Sequence, residues 1–332
     1  MIRKILKILK KVVIFGLIVY GILWAFSFKT YDTMLGISYS PQYARFLGLD
    51  HSETFDAILS DLDPVSIRLA VPWSQVEAVS GVFDYAEIDE MIEKTKENGT
   101  RVILTVGQKV PRWPECYVPS WVGDLDTQAR RAALLEYVGK TVERYKDNPA
   151  IEYWQLENEA FIRFPFGECD LFDQKLVKEE AALIRRMDPE REIVMTDSGE
   201  LSSYRRPSFM GDILGTTLYR TIRIGGQWMM HYDWVPPAFY KTKARIWGND
   251  YEHFFVSELQ AEPWFVGDIP KDQEGIAKDK SFNPERFVEN VAYAKKVGAS
   301  RTYLWGVEWW YFMKTKIGDE RYWETAKSIF KQ

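Results

Sequence analysis

Histidine and cysteine are scarce in this chain, three and two residues among 332. None of His51, His231 and His253 stands at ligand spacing to another histidine or to a cysteine, so no catalytic metal is expected. A Gly-x-Ser-x-Gly elbow is missing, and so is a glycine-rich phosphate loop, which leaves no organic cofactor implied. No low-complexity linker marks off a second domain. Basic residues are few once the first 11 positions are set aside. Arg3, Lys4, Lys7, Lys10 and Lys11 take five of the 43, leaving 38 against 48 acidic residues and a formal charge of −10. Nucleic acid and anionic lipid surfaces need a basic footprint and are excluded as partners of that remainder.

Long hydrophobic runs are absent with one exception. Val12 to Phe28, VVIFGLIVYGILWAFSF, carries no charge over 17 residues, about 26 Å of helix and near the thickness of a bilayer core. The basic flank before it orients the N-terminus to the cytoplasm and everything after Lys29 outside. This gives a cytoplasmic tail at 1–11, a signal anchor at 12–28 and a catalytic domain at 29–332. The alternative is a cleaved signal peptide with Ala25-Phe26-Ser27 at the cleavage site, which would leave the protein secreted. Aromatic residues are abundant at 15%, and Trp in loops is harder to explain by packing than Trp in a core.

After the anchor, strand-like and helix-like runs alternate to the C-terminus. Strands are predicted at Leu35 to Tyr39, Val65 to Val71, Arg101 to Val106, Ile151 to Leu156, Glu192 to Thr196, Ile213 to Tyr219, His253 to Ser257 and Arg301 to Trp305. Helices are predicted at Tyr85 to Asn98, Thr127 to Lys146, Leu171 to Met187, Pro236 to Asn249, Pro284 to Val297 and Arg321 to Phe330. In one such unit Asp84 to Glu87 has capping-box spacing, Ile88, Met91, Ile92 and Thr95 share an apolar face, and Gly99 supplies the stop before the strand RVILTV. Eight repeats in about 300 residues read as an α/β fold, a closed (β/α)8 TIM barrel with its active site at the C-terminal strand ends. A doubly wound open sheet is the other topology, and the missing phosphate loop counts against it.

The fourth predicted strand runs out through IEYWQLENEAF onto Asn158 and Glu159, and the seventh, HFFVSELQAEPW, onto Glu258. These strands lie across the barrel from each other, so two carboxyl groups face one another over its mouth. A pair about 5 to 5.5 Å apart is the machinery of retaining glycoside hydrolysis. Glu157 lies two residues before Glu159 on the same side of the strand and reads as a deeper, hydrogen-bonded barrel residue. Glu262 belongs to the loop after Glu258 and reads as a rim or substrate contact. Trp113, Trp121, Trp264, Trp309 and Trp310 follow strands three, seven and eight, where as a group they favour a carbohydrate cleft.

Three segments, RYKDNPAIEYWQLENE (Arg144 to Glu159), VSELQAEPW (Val256 to Trp264) and WSQVEAVSGVFDYAEID (Trp73 to Asp89), resemble clan A of the glycoside hydrolases. These are retaining β/α-barrel enzymes that include families 5, 10, 39 and 42. The resemblance implies that Glu159 is the acid/base, Glu258 the nucleophile, and Asn158 a partner for the sugar 2-hydroxyl. It implies further that Arg68 sits beside the nucleophile, that Tyr219 bonds to it, and that Trp305 lies beneath the reactive sugar ring. Where the clan often has a His after strand three, this chain has Gln108, which bears on the sugar preferred. The expected activity is hydrolysis of β-O-glycosidic bonds in an oligosaccharide, polysaccharide or glycoconjugate. Transglycosylation on the same intermediate and a catalytically silent carbohydrate-binding barrel stand as alternatives. Cys116 and Cys169 fall in neighbouring loops of the same barrel face and are expected to form a disulfide, with two unpaired thiols as the other outcome.

Overall fold

The apolar strands pair in parallel and close on themselves. The computed structural model describes residues 2–112, 114–162, 169, 174–225, 228–264 and 281–331. Its strands are β1 (Met34–Tyr39), β2 (Ser66–Ala70), β3 (Arg101–Val106), β4 (Ile151–Leu156), β5 (Ile193–Asp197), β6 (Ile213–Leu218), β7 (Thr221–Gly225), β8 (Trp228–His231), β9 (Phe254–Gln260) and β10 (Arg301–Trp305). Eight of them form a closed barrel in the order β1-β10-β9-β6-β5-β4-β3-β2, the TIM barrel expected. The β7–β8 pair is an antiparallel hairpin outside the barrel. The sequence reading missed it, because its short strands sit between stronger signals.

Helices Ala86–Asn98, Thr127–Tyr145, Gln174–Met187, Ala238–Ile246, Pro284–Val297 and Arg321–Phe330 match the predicted ones to within a few residues. The predicted start of the third, at residues 171–173, lies outside the described residues. Gly99 adopts φ +76° and ends its helix, as expected. The capping box does not form. Asp84 Oδ1 accepts from the Ala86 N–H at 2.9 Å, and Glu87 turns instead to an ion pair with Arg45.

Most of the buried apolar residues lie between the outer faces of the strands and the helices. Inside the barrel, Ile103, Val194, Ile213, Phe255 and Tyr303 form a separate apolar layer, with Tyr153 packed on it. Gly36 is needed there: a Cβ on it would lie 2.6 Å from the Tyr303 ring. Toward the C-terminal strand ends the interior becomes polar. Arg68 Nε donates to Gln155 Oε1 at 2.6 Å and Nη1 to the Ser257 carbonyl at 3.3 Å, and the site rests on this layer.

The N-terminal helix Ile2–Ala25 stands largely free of the barrel, with its apolar side chains exposed. By length and composition, Arg3–Phe28 is long and apolar enough to cross a membrane. A signal sequence passes the same test.

Candidate active site

Strand β4 stops at Leu156, and the next three side chains diverge. Glu157 (φ +57°) and Glu159 (φ +47°) both adopt the left-handed backbone, a conformation that costs a non-glycine residue on the order of 1–3 kcal/mol. The alternation rule for extended strands therefore no longer applies at Glu157, and the reading that placed it below Glu159 is corrected. Its carboxylate accepts from the N–H groups of Gln108 (3.0 Å) and Lys109 (2.7 Å) and faces Glu180 on the outer helix Gln174–Met187. Gly107 makes room for it, since a Cβ there would lie 2.5 Å from the Glu157 carboxyl carbon.

Asn158 is anchored by its N–H to the Lys109 carbonyl at 2.7 Å, and its Oδ1 accepts from Arg68 Nη2 at 2.8 Å and Thr196 Oγ1 at 3.2 Å. Glu159 turns toward β6, where Thr217 Oγ1 donates to its Oε1 at 3.2 Å. Burial, then the charge of Glu258, then that of Glu115, push the Glu159 carboxyl well above the usual carboxylate range.

Glu258 lies within β9 rather than at its tip, because that strand runs on to Gln260. The pairing of β9 with β6 shifts register between Val256 and Glu258, a bulge of the kind that re-aims a side chain beside an active site. Arg68 Nη1 donates to Glu258 Oε1 at 3.0 Å and Tyr219 OH donates to Oε2 at 3.0 Å. Both oxygens are thus fixed, one by a donor on β2 and the other by a donor just past β6.

Glu262 is not a rim residue. It is buried and paired with the Arg112 guanidinium, whose Nη2 also donates to Glu308 Oε2 at 2.8 Å. Arg112 lies 4.1 Å over the ring of Trp305, so one face of that indole is occupied from within the protein. Burial also raises the Glu308 carboxyl, and its Oε1 accepts the Ser40 N–H at 2.6 Å.

Trp264 stands edge-on to Tyr219 at 5.3 Å and remains half-buried beside the site. Trp121 packs against Trp73 and donates to the Glu77 carbonyl at 2.9 Å. Trp309 and Trp310 are fully buried among the core side chains, so they present no face to a cleft. The helix Val307–Phe312 turns them inward, which their position after the last strand did not reveal. Trp113 lies outside the described residues. Gln108 is buried with its backbone on Glu157, and Cys116 and Cys169 are bonded with Cα atoms 5.4 Å apart.

Residues that sequence reasoning missed include Arg112, Glu308, Thr217 and the Lys109–Glu115 ion pair at 3.1 Å. Among the described residues no group of three or more His, Cys, Asp or Glu is placed to hold a metal ion.

No protein-family model matches the chain. Over 150 residues, 38% of its length, it is 24% identical to β-galactosidase Bga of Halorubrum lacusprofundi, of which that match covers 20%. In structure it is similar to the cold-adapted β-galactosidase of Rahnella sp. R3, with a TM-score of 0.62 and 14% identity over 91% of this chain and 56% of that one. It is similar also to GH5_18 from Streptomyces cattleya, solved with GlcNAc, with a TM-score of 0.55 and 13% identity over 83% and 71%. These solved glycosidases share the barrel fold of this chain, the fold that the resemblance in sequence implied. The chain spans about half the length of the solved Rahnella β-galactosidase and a fifth of the curated relative.

Proposed function

We propose that the protein is a retaining glycoside hydrolase held at a membrane by residues 12–28, acting on a saccharide outside the cytoplasm. The observation that carries the reading is the contrast between two buried carboxyl groups. Glu258 is clamped between Arg68 and Tyr219, whereas among the described residues Glu159 has only the Thr217 hydroxyl on its side chain, with a carboxyl raised by burial and by Glu258. Environments that set two carboxyl groups apart assign the acid and the nucleophile. Glu258 attacks the anomeric carbon and forms the glycosyl ester while protonated Glu159 gives its proton to the leaving oxygen. Loss of the Glu258 charge in the ester lets the Glu159 pKa fall, so the same group then takes a proton from the attacking water. Asn158, fixed by Arg68 and Thr196, presents its amide to the sugar 2-hydroxyl. The names of the similar proteins favour a β-linked hexoside such as a galactoside.

A panel of aryl β-glycosides offered to the full chain in detergent tests this reading. Glu258→Gln should abolish turnover. Glu159→Ala should keep activity on substrates with good leaving groups and gain rate with azide, giving a glycosyl azide of retained configuration. A Glu159→Ala variant as fast as wild type on every substrate would remove the assignment. For the anchor, the first 11 residues should resist protease in intact cells while the barrel is cut. Recovery of a shortened, soluble barrel from the medium would favour signal cleavage.

A further inference from the structure

The polypeptide reaches the barrel from its catalytic end. The Ala238 N–H donates to Ser27 Oγ at 3.0 Å, at the start of the helix that follows β6 and the β7–β8 hairpin. Tyr20 OH donates to the Trp234 carbonyl at 2.7 Å. Gly16, Val19, Tyr20 and Leu23 line a cavity of about 320 Å³ together with Trp234 and with Glu200, which stands just past the C-terminal end of β5. From Ser27 the chain descends the outside of the barrel. Tyr31 N donates to the Lys295 carbonyl at 2.7 Å and Met34 N to the Ser300 carbonyl at 2.9 Å, at the opposite end, where β1 begins. The apolar helix therefore leaves from the face that carries Glu159 and Glu258.

That contact has no spacer. Tyr20 lies eight residues, about 12 Å, before the end of the apolar run at Phe28, and the whole run is only about 26 Å long. A helix that crosses a bilayer with this run carries the barrel segment touching Tyr20 and Leu23 to the outer interfacial layer. The surface there suits such a layer. Trp228 and Ile224 on the hairpin are 78% and 62% exposed, and Trp234 in the turn after it is 60% exposed. Tryptophan is enriched where membrane meets water, with its indole at headgroup depth. Through Arg223 the hairpin is tied to the loop beside the site. Arg223 Nε donates to the Trp264 carbonyl at 2.7 Å, and Trp264 packs edge-on against Tyr219, the donor to Glu258.

We infer that Ile224, Trp228 and Trp234 rest in the outer interfacial layer of the bilayer crossed by the apolar run at residues 12–28 and turn the cleft toward saccharides joined to lipids in that layer. This rests on the anchored-glycosidase reading and adds to it a docking surface and a substrate class.

The full chain is reconstituted in phosphatidylcholine vesicles whose acyl chains carry bromine at a shallow or a deep position, and tryptophan quenching is read for wild type, Trp24→Phe, and Trp228→Phe with Trp234→Phe. Trp24 in the helix is the internal control for insertion. Loss of most of the shallow quenching in the Trp228/Trp234 variant, with a separate loss in Trp24→Phe, is the expected result. Quenching that drops for Trp24→Phe and is unchanged for the Trp228/Trp234 variant overturns the inference and leaves the anchor standing. A protein that does not remain with carbonate-washed vesicles removes the anchor and the inference together. On the substrate side, vesicle-held alkyl glycosides should be cleaved more slowly by Ile224→Ser/Trp228→Ser than by wild type, while a soluble aryl glycoside of the same sugar is cleaved at the same rate. Equal loss on both substrates would make the hairpin a structural element only.

Discussion

Arg68 Nη1 lies 3.0 Å from Glu258 Oε1, and both side chains are almost fully buried. The same guanidinium reaches Asn158 with Nη2 and Gln155 with Nε, so one residue of β2 joins the two halves of the site. Replacing it leaves a buried carboxylate without its cation. Arg68→Met should therefore lower stability by about 3–5 kcal/mol. Denaturant unfolding of the variant measures that loss. Arg68→Lys keeps the charge but not the fork, and its turnover number should fall with little change in KM if the guanidinium positions Glu258 rather than binding substrate.

Tyr219 supplies the other donor to Glu258, at 3.0 Å. A hydrogen bond to a charged group contributes about 1.5–3 kcal/mol, so Tyr219→Phe should slow turnover by roughly ten- to hundredfold. Steady-state kinetics on an aryl glycoside checks it, and an unchanged rate would detach Tyr219 from the proposed nucleophile.

The raised Glu159 carboxyl gives a pH dependence of fixed sign. In its proposed role as general acid Glu159 must be protonated, so activity is complete below its folded-state pKa and is lost as pH rises through it. Turnover relative to KM should thus show an alkaline limb displaced upward from the ordinary carboxylate range. That limb should vanish in Glu159→Ala with a substrate whose leaving group needs no proton.

Between the end of β4 and the helix Gln174–Met187, Glu157 and Glu180 form a buried acid pair. Burial raises both, and the charge of Glu157 raises Glu180 further, so the pair is expected to share one proton. The folded state binds more protons than the unfolded chain here. Stability from this pair is present below the ordinary carboxylate range and is lost as pH rises through the raised folded values. Glu180→Gln needs no shared proton, so its melting temperature should fall less than that of wild type between about pH 5 and pH 9. Parallel pH slopes for the two proteins would argue against a shared proton.

The Cys116–Cys169 bond closes a loop of 53 positions, worth about 4 kcal/mol on the chain-entropy account. For a domain near 300 residues, reduction should lower the melting temperature by about 6 °C. Alkylation of the unreduced, unfolded protein should add no label, and two adducts before reduction would contradict the bond.

Much of the barrel was legible because its signal is local. Strands such as RVILTV are continuous apolar runs, helices such as Ala86–Asn98 carry a single apolar face, and Gly99 marks the join between them. Glu159 and Glu258 were legible for a related reason, since strand ends in this fold face one cleft and carboxyl groups there stand out against apolar runs. The hairpin at Thr221–His231 escaped because its short strands, TIRIG and WMMH, carry no continuous apolar run of the kind that marks the barrel strands. The inward turn of Trp309 and Trp310 escaped because an indole in a short helix carries no mark of which side it packs on.

By itself, then, the sequence determined the succession of barrel strands and their helices, the barrel they close into, the apolar N-terminal helix and the choice of Glu159 and Glu258 as candidate carboxyl groups. Only the tertiary structure decided how those groups are set. The left-handed backbone at Glu157 and Glu159, the bulge before Glu258, and the Arg112–Glu262–Glu308 cluster all depend on contacts between residues far apart in the chain. Local pattern encodes which face of an element is buried. The side chain that meets it across the barrel is set by register and closure, which no window of neighbouring residues contains.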